Sequence, residues 1–167
     1  MKGPALAARI AAIGMIAAAS TWAAAHGPHE HAPTSKKPIS KQEYPWGRQG
    51  DPAKAGKTIE VDMADTMRFT PSQMVIKSGQ TVKFVAQNTG KVMHEMVIGT
   101  EEELVKHAEL MKKHPGMEHD EPYMAHVAPG KKETITWTFN KPGTYMYGCL
   151  IPGHWEAGMK GTIKVEK

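Results

Sequence analysis

Residues Gly143–Val165 read GTYMYGCLIPGHWEAGMKGTIKV. Two short runs of strand texture, Thr144–Tyr147 and Gly161–Val165, enclose a loop that carries the only cysteine of the chain, Cys149. His154 follows five positions later and Met159 five after that. Pro152-Gly153 and Gly158 let such a loop fold tightly. Thiolate and thioether are soft donors and imidazole is intermediate. One Cys, one Met and two His therefore suit copper passing between Cu(I) and Cu(II), whereas zinc prefers more thiolates and has little use for Met.

The second histidine must come from elsewhere. His94 stands at the start of a strand-like run, Glu95–Ile98, just after the turn Asn88–Lys91. Two other readings of the loop compete with a metal site. A Cys/His nucleophilic pair lacks an orienting third group and leaves Met159 idle. A small buried hydrophobe would need neither His154 nor Met159.

Working outward, the strand texture continues. Thr58–Ala64 alternates with period two, Gln73–Lys77 is short and stopped by Ser78-Gly79, and Thr81–Gln87 runs into a turn at Asn88-Thr89-Gly90. Thr134–Phe139 alternates again before the turn Asn140–Gly143. Short strands at this spacing predict an all-β, two-sheet sandwich from Lys57 to Lys167. One insertion, residues 100–130, breaks the pattern. Thr100–His114 has helical composition, with Thr100 as N-cap, Glu103 at the capping-box position and Pro115-Gly116 as the stop.

The first 25 residues read as a secretory leader: Lys2 and Arg9, then the apolar run Ile10–Ala19, then an A-x-A site at Ala23–Ala25. The apolar run is too short to span a bilayer. The expected mature chain is periplasmic and has no membrane span. Residues 26–56, rich in Pro, Lys, Gly and His, read as a flexible tail or linker in which only Tyr44 and Trp46 are bulky enough to dock. Removing Lys2 and Arg9 from the 21 basic residues leaves 19 against 17 acidic ones, too weak an excess for a nucleic-acid partner. An exported chain normally pairs its cysteines. A lone Cys149 is thus protected or used, and metal ligation does both.

Cys-x4-His-x4-Met with an upstream His at a strand start resembles the cupredoxins, the blue-copper proteins. MRFTPSQMVIKSGQTVKF (Met67–Phe84), MHEMVIG (Met93–Gly99) and PGTYMYGCLIPGHWEAGMKGTIKV (Pro142–Val165) all look like segments of that family. The Cys-to-His gap is similar to that of the rusticyanin-like branch. The Met/His-rich insertion resembles the copper-tolerance members of the periplasm. The resemblance implies a Greek-key β-sandwich. It also implies copper held by His94, Cys149 and His154, with Met159 as a weak axial ligand. Glu95 departs from the pattern, since plastocyanin and azurin carry Asn after the first ligand His, where it braces the ligand loop.

The insertion holds more His and Met than one centre needs. His107, Met111 and His114 share a helix face, and Met117, His119, Met124 and His126 follow. These residues are candidates for a second copper site, against the plainer reading in which Met111 packs on the sandwich. His26, His29 and His31 form a candidate metal-recruiting tract. Three functions follow as expectations. The first is periplasmic copper tolerance through a type 1 centre and a second Met/His site, with copper ions and a redox or copper-export protein as partners. The second is a dedicated electron carrier, which has no need of the extra His and Met residues. The third, an enzyme oxidising Cu(I), ranks last because such chemistry normally uses further copper centres.

Overall fold

The structure, a computed structural model, describes residues 38–115, 117 and 119–167. The leader and the tract His26, His29, His31 lie outside the described residues. Among the described residues eleven strands, one α-helix and a 3-10 turn at Pro52–Lys54 occur, the strands and α-helix in the order β1 Glu43–Tyr44, β2 Gly47–Gln49, β3 Lys57–Ala64, β4 Arg68–Thr70, β5 Gln73–Lys77, β6 Thr81–Asn88, β7 His94–Gly99, α1 Glu101–Lys113, β8 Met124–Val127, β9 Lys132–Phe139, β10 Gly143–Gly148 and β11 Lys160–Glu166. They form two sheets, ordered β1-β2-β9-β6-β3-β4 and β5-β11-β10-β7-β8. The β3/β6 and β5/β11 pairs are parallel and the other pairs are antiparallel. No helix among the described residues is long and apolar enough to cross a membrane.

The alternation read from the sequence is a burial pattern. Along β6, Val82, Phe84, Ala86 and Asn88 are buried while the residues between them are partly exposed. Val82, Phe84 and Ala86 meet Val61, Met63, Ile135, Trp137 and Phe139 of the same sheet and Met96, Ile98, Tyr147 and Ile163 of the facing sheet in one core. Strand β7 departs from alternation, because all six of its residues are buried. Helix α1 explains this. Leu104, Ala108 and Met111 pack with Val97, Met124 and Leu150 in a second cluster. A strand covered on both faces loses its polar face.

Helix α1 starts and stops where its sequence signals lie. Thr100 accepts from the Glu103 amide while the Glu103 side chain caps the Thr100 amide, and His114 is the C-cap.

The expectation for residues 26–56 needs correction. Part of that segment is folded: Glu43–Tyr44 and Gly47–Gln49 make a hairpin whose second strand pairs with β9. The cause is aromatic burial. Trp46 is buried, with its ring centroid 4.6 Å from that of Trp137 and rings of Tyr44, Tyr123, Phe139 and Tyr145 around it. One such side chain contributes on the order of 3 kcal/mol, enough to order a few residues that composition alone marks as loose. Strands β4 and β8 were also not expected; both are short, and β8 lies in a stretch that reads as irregular.

Candidate metal centre

Strands β11, β10 and β7 are neighbours, and one end of the trio carries the site. In register, Gly148 lies between Lys160 and Val97. Cys149 therefore follows the last residue of β10, Met159 precedes the first of β11, and His94 opens β7. The sheet thus brings three of the four sequence-predicted residues to one edge, and the loop between β10 and β11 adds His154. Ligand atoms of His94, Cys149 and His154 all lie within 4.8 Å of one another. Met159 is fully buried in the same core cluster as Cys149, and its carbonyl accepts from the Cys149 amide at 3.0 Å.

Each histidine presents Nδ1. His94 turns Nε2 to Asp65 Oδ1 at 3.1 Å, and its Nδ1 is buried with no hydrogen-bond partner. His154 Nδ1 lies 3.2 Å from Cys149 Sγ. Asp65 also accepts from the Lys91 and Val92 amides, and the Lys91 amide first, then the His94 imidazole, hold its carboxyl below the usual carboxylate range. Asn88, fully buried, donates to the carbonyls of Val92 and Val127 and so pins the turn that delivers His94. Asp65 was missed by sequence reading. Nothing in its spacing ties it to His94, since the turn after β3 brings it across.

Glu95 is only 2% exposed. Its amide donates to Cys149 Sγ at 3.4 Å, and its Oε1 accepts from the Leu150 amide at 2.7 Å. Glu95 thus braces the ligand loop from the position where plastocyanin and azurin use Asn. Its second oxygen lies 3.2 Å from His126 Nδ1. The loop is further held by Arg68, which donates to the Ala157 carbonyl, and by Lys112 of α1 against Glu156 at 2.7 Å. Gly153 and Gly158 sit at φ +91° and +93°, conformations that favour glycine.

Burial pushes the Cys149 thiol up to about 12, against a smaller lowering from the Glu95 amide. Burial, then His94, holds His154 below the usual imidazole range. A protonated thiol beside two imidazoles, one of them with an orphaned buried nitrogen, is a cluster whose polar atoms lack a common partner. A copper ion fits it: thiolate and imidazole nitrogens are the donors it takes, and a cation compensates the buried thiolate.

The insertion residues separate into groups. Met111 and Met124 are buried in the core cluster under α1, and His114 is exposed at the helix end. His107, His119 and His126 come together. His107 and His119 face each other through Nε2 at 2.5 Å, and the His119 and His126 ring centroids are 6.5 Å apart. Met117, 38% exposed, lines the same cavity as His107 and His119.

Residues 55–166 match the family described as copper binding proteins, plastocyanin/azurin family. The chain is 43% identical over 147 residues to the copper-resistant cuproprotein CopI of Rubrivivax gelatinosus, covering 87% of this chain and 89% of that one. It is 39% identical to the CopI of Vibrio cholerae over 68% of each chain. Among solved structures, the reduced auracyanin of Roseiflexus castenholzii superposes with a TM-score of 0.59 at 29% identity, covering 68% of this chain and 99% of that one. Copper is the cofactor that the family, these relatives and the His94–Cys149–His154 cluster agree on. The chain belongs to the plastocyanin/azurin family of copper-binding proteins and is homologous to the CopI copper-resistance cuproproteins.

Proposed function

We propose that this chain is an exported periplasmic protein that protects the cell from excess copper, and that His94, Cys149 and His154, with Met159 as a weaker donor, would hold the ion in a type 1 centre. The observation that carries the reading is the convergence of a buried thiol, a neutral imidazole 3.2 Å away and a buried imidazole nitrogen without a partner. The relatives' description as copper-resistant supports the biological role. The leader-like first 25 residues support export.

Bound copper supplies one-electron chemistry between Cu(I) and Cu(II). The protein's part is to prepare the donors. Loading would require Cys149 Sγ to lose its proton to solvent, because His154 Nδ1, 3.2 Å away, has to keep its lone pair for the ion. Asp65 fixes the His94 ring through Nε2, so that Nδ1 alone is free to ligate. Glu95 holds the backbone on the far side of the thiol through the Leu150 amide. A frame fixed in this way changes little between oxidation states, which suits either storage or redox conversion of the ion. The His and Met residues of the insertion extend the reading to more than one copper ion per chain.

A second reading, a dedicated electron carrier, draws on one observation. His154 is the ligand that reaches solvent, and Ile151 and Trp155, both half-buried, flank it with exposed Pro152. Deleting the gene separates the two. Copper sensitivity with respiration intact supports tolerance. Impaired respiration with unchanged copper sensitivity would establish the carrier instead.

A further inference from the structure

We propose that His107 and His119, with the Met117 thioether at the rim, hold a Cu(I) ion apart from the type 1 centre, and that His126 and Glu95 position this site without ligating. The inference rests on the copper-handling reading and deepens it by saying where a second ion sits and which insertion residues serve it.

The observations begin with the outer face of the β7–β8 pair. Glu95 and His126 are direct cross-strand partners. Their side chains meet under α1, where Glu95 Oε2 lies 3.2 Å from His126 Nδ1. The other ring nitrogen, His126 Nε2, lies 3.1 Å from the His119 carbonyl oxygen. Carboxylate and carbonyl oxygens only accept, so both nitrogens of His126 act as donors and neither keeps a lone pair for a metal. His126 is therefore a strut between Glu95 and the loop that carries His119.

His119 is held at a second point. Its Nδ1 lies 3.3 Å from the Met117 carbonyl, an acceptor, so Nδ1 carries the proton and Nε2 presents its lone pair. That lone pair faces His107 Nε2 at 2.5 Å. Two imidazole nitrogens aimed at each other share a proton or a cation. With metal–imidazole bonds of about 2 Å, the pair must open by an ångström or so to admit an ion between them. His119 lies on the loop between α1 and β8 rather than on a strand, where such a shift is least opposed.

The setting selects the ion. The pair stands in the wall of a cavity of about 480 Å³ beneath α1, which Leu104, Leu110, Met117 and Tyr123 also line. Two imidazole nitrogens and a thioether in mostly apolar surroundings favour a soft monovalent cation over a divalent one. Met111 and Met124 are already used in core packing, and His114 is exposed at the helix end.

The test is an anaerobic Cu(I) titration of the mature protein against a chromophoric chelator, with imidazole ¹⁵N spectra recorded as equivalents are added. Wild type should bind one more Cu(I) per chain than the double variant His107→Ala/His119→Ala. The Nε2 resonances of His107 and His119 should move with that ion, while His126 keeps two protonated nitrogens. His126→Ala should weaken the second ion about tenfold without removing it, as loss of an orienting partner does, and His114→Ala should change nothing. After reoxidation the double variant should keep the visible band of the type 1 centre, which reports that it is folded. A double variant that binds as many Cu(I) ions as wild type overturns the proposal and leaves the type 1 reading standing. If instead Cys149→Ser retains the intense visible band, the reading of the main centre fails, whatever the second ion does.

Discussion

Glu95 joins the two groups of candidate ligands through one buried carboxylate. Substituting Gln keeps a carbonyl oxygen for the Leu150 amide, so E95Q should fold, bind copper and keep its visible band. Glu95→Ala leaves the buried Leu150 amide and His126 Nδ1 unpartnered. That variant should lose about 2–3 kcal/mol in denaturant titration and release copper faster under chelator challenge. Equal stability of the two variants would mean that the carboxylate does not brace the ligand loop. Asp65 acts on the other side of the centre. Asp65→Ala frees the His94 ring to turn, and should weaken copper retention by about tenfold or more, the usual cost of losing such an orienting partner. Its melting temperature should hardly change, because Asp65 is partly exposed.

At the scale of the element, α1 is what separates this sandwich from a bare cupredoxin core. It buries the outer face of β7 and supplies His107 to the cavity. Its start was legible in the sequence because capping is local: Thr100 and Glu103 satisfy each other three residues apart. Thr100→Ala should therefore cost about 1 kcal/mol, read as a lower melting temperature. Leu104→Ala, at a fully buried position, should cost about 2–5 kcal/mol. If Leu104→Ala were neutral, the helix would not be packed on β7. The same locality explains what was not legible. The β1–β2 hairpin owes its order to Trp46 stacking on Trp137, a contact between residues 91 positions apart; the sequence marks Tyr44 and Trp46 as bulky enough to dock, but no alternation within residues 38–56 announces the strands. Strand β8 is held by pairing with β7, again a distant partner.

For the molecule as a whole, the strands and the four type 1 candidates were readable because period-two burial and ligand spacing survive in one dimension. Glu95 was visible only as a departure from the family pattern, and its two partners come from elsewhere in the chain, Leu150 from the loop after β10 and His126 from β8. The pairing of His107 with His119 was likewise not separable from the remaining His and Met of the insertion until the fold brought those two together. The copper-free protein should also show a pH signature. Burial raises the Cys149 thiol to about 12 and raises Tyr147 as well. Groups raised on folding stabilise below their unfolded values and lose that contribution as pH climbs toward the folded ones. Copper-free protein should thus unfold at steadily lower denaturant from about pH 9 upward, and Cys149→Ala should flatten that slope. The most direct test of the account is Cu(II) addition to the mature protein and to Cys149→Ser, followed by visible absorption and paramagnetic resonance. The account predicts an intense thiolate-to-copper band in the wild type and its complete loss in the variant; an unchanged band in Cys149→Ser would contradict it.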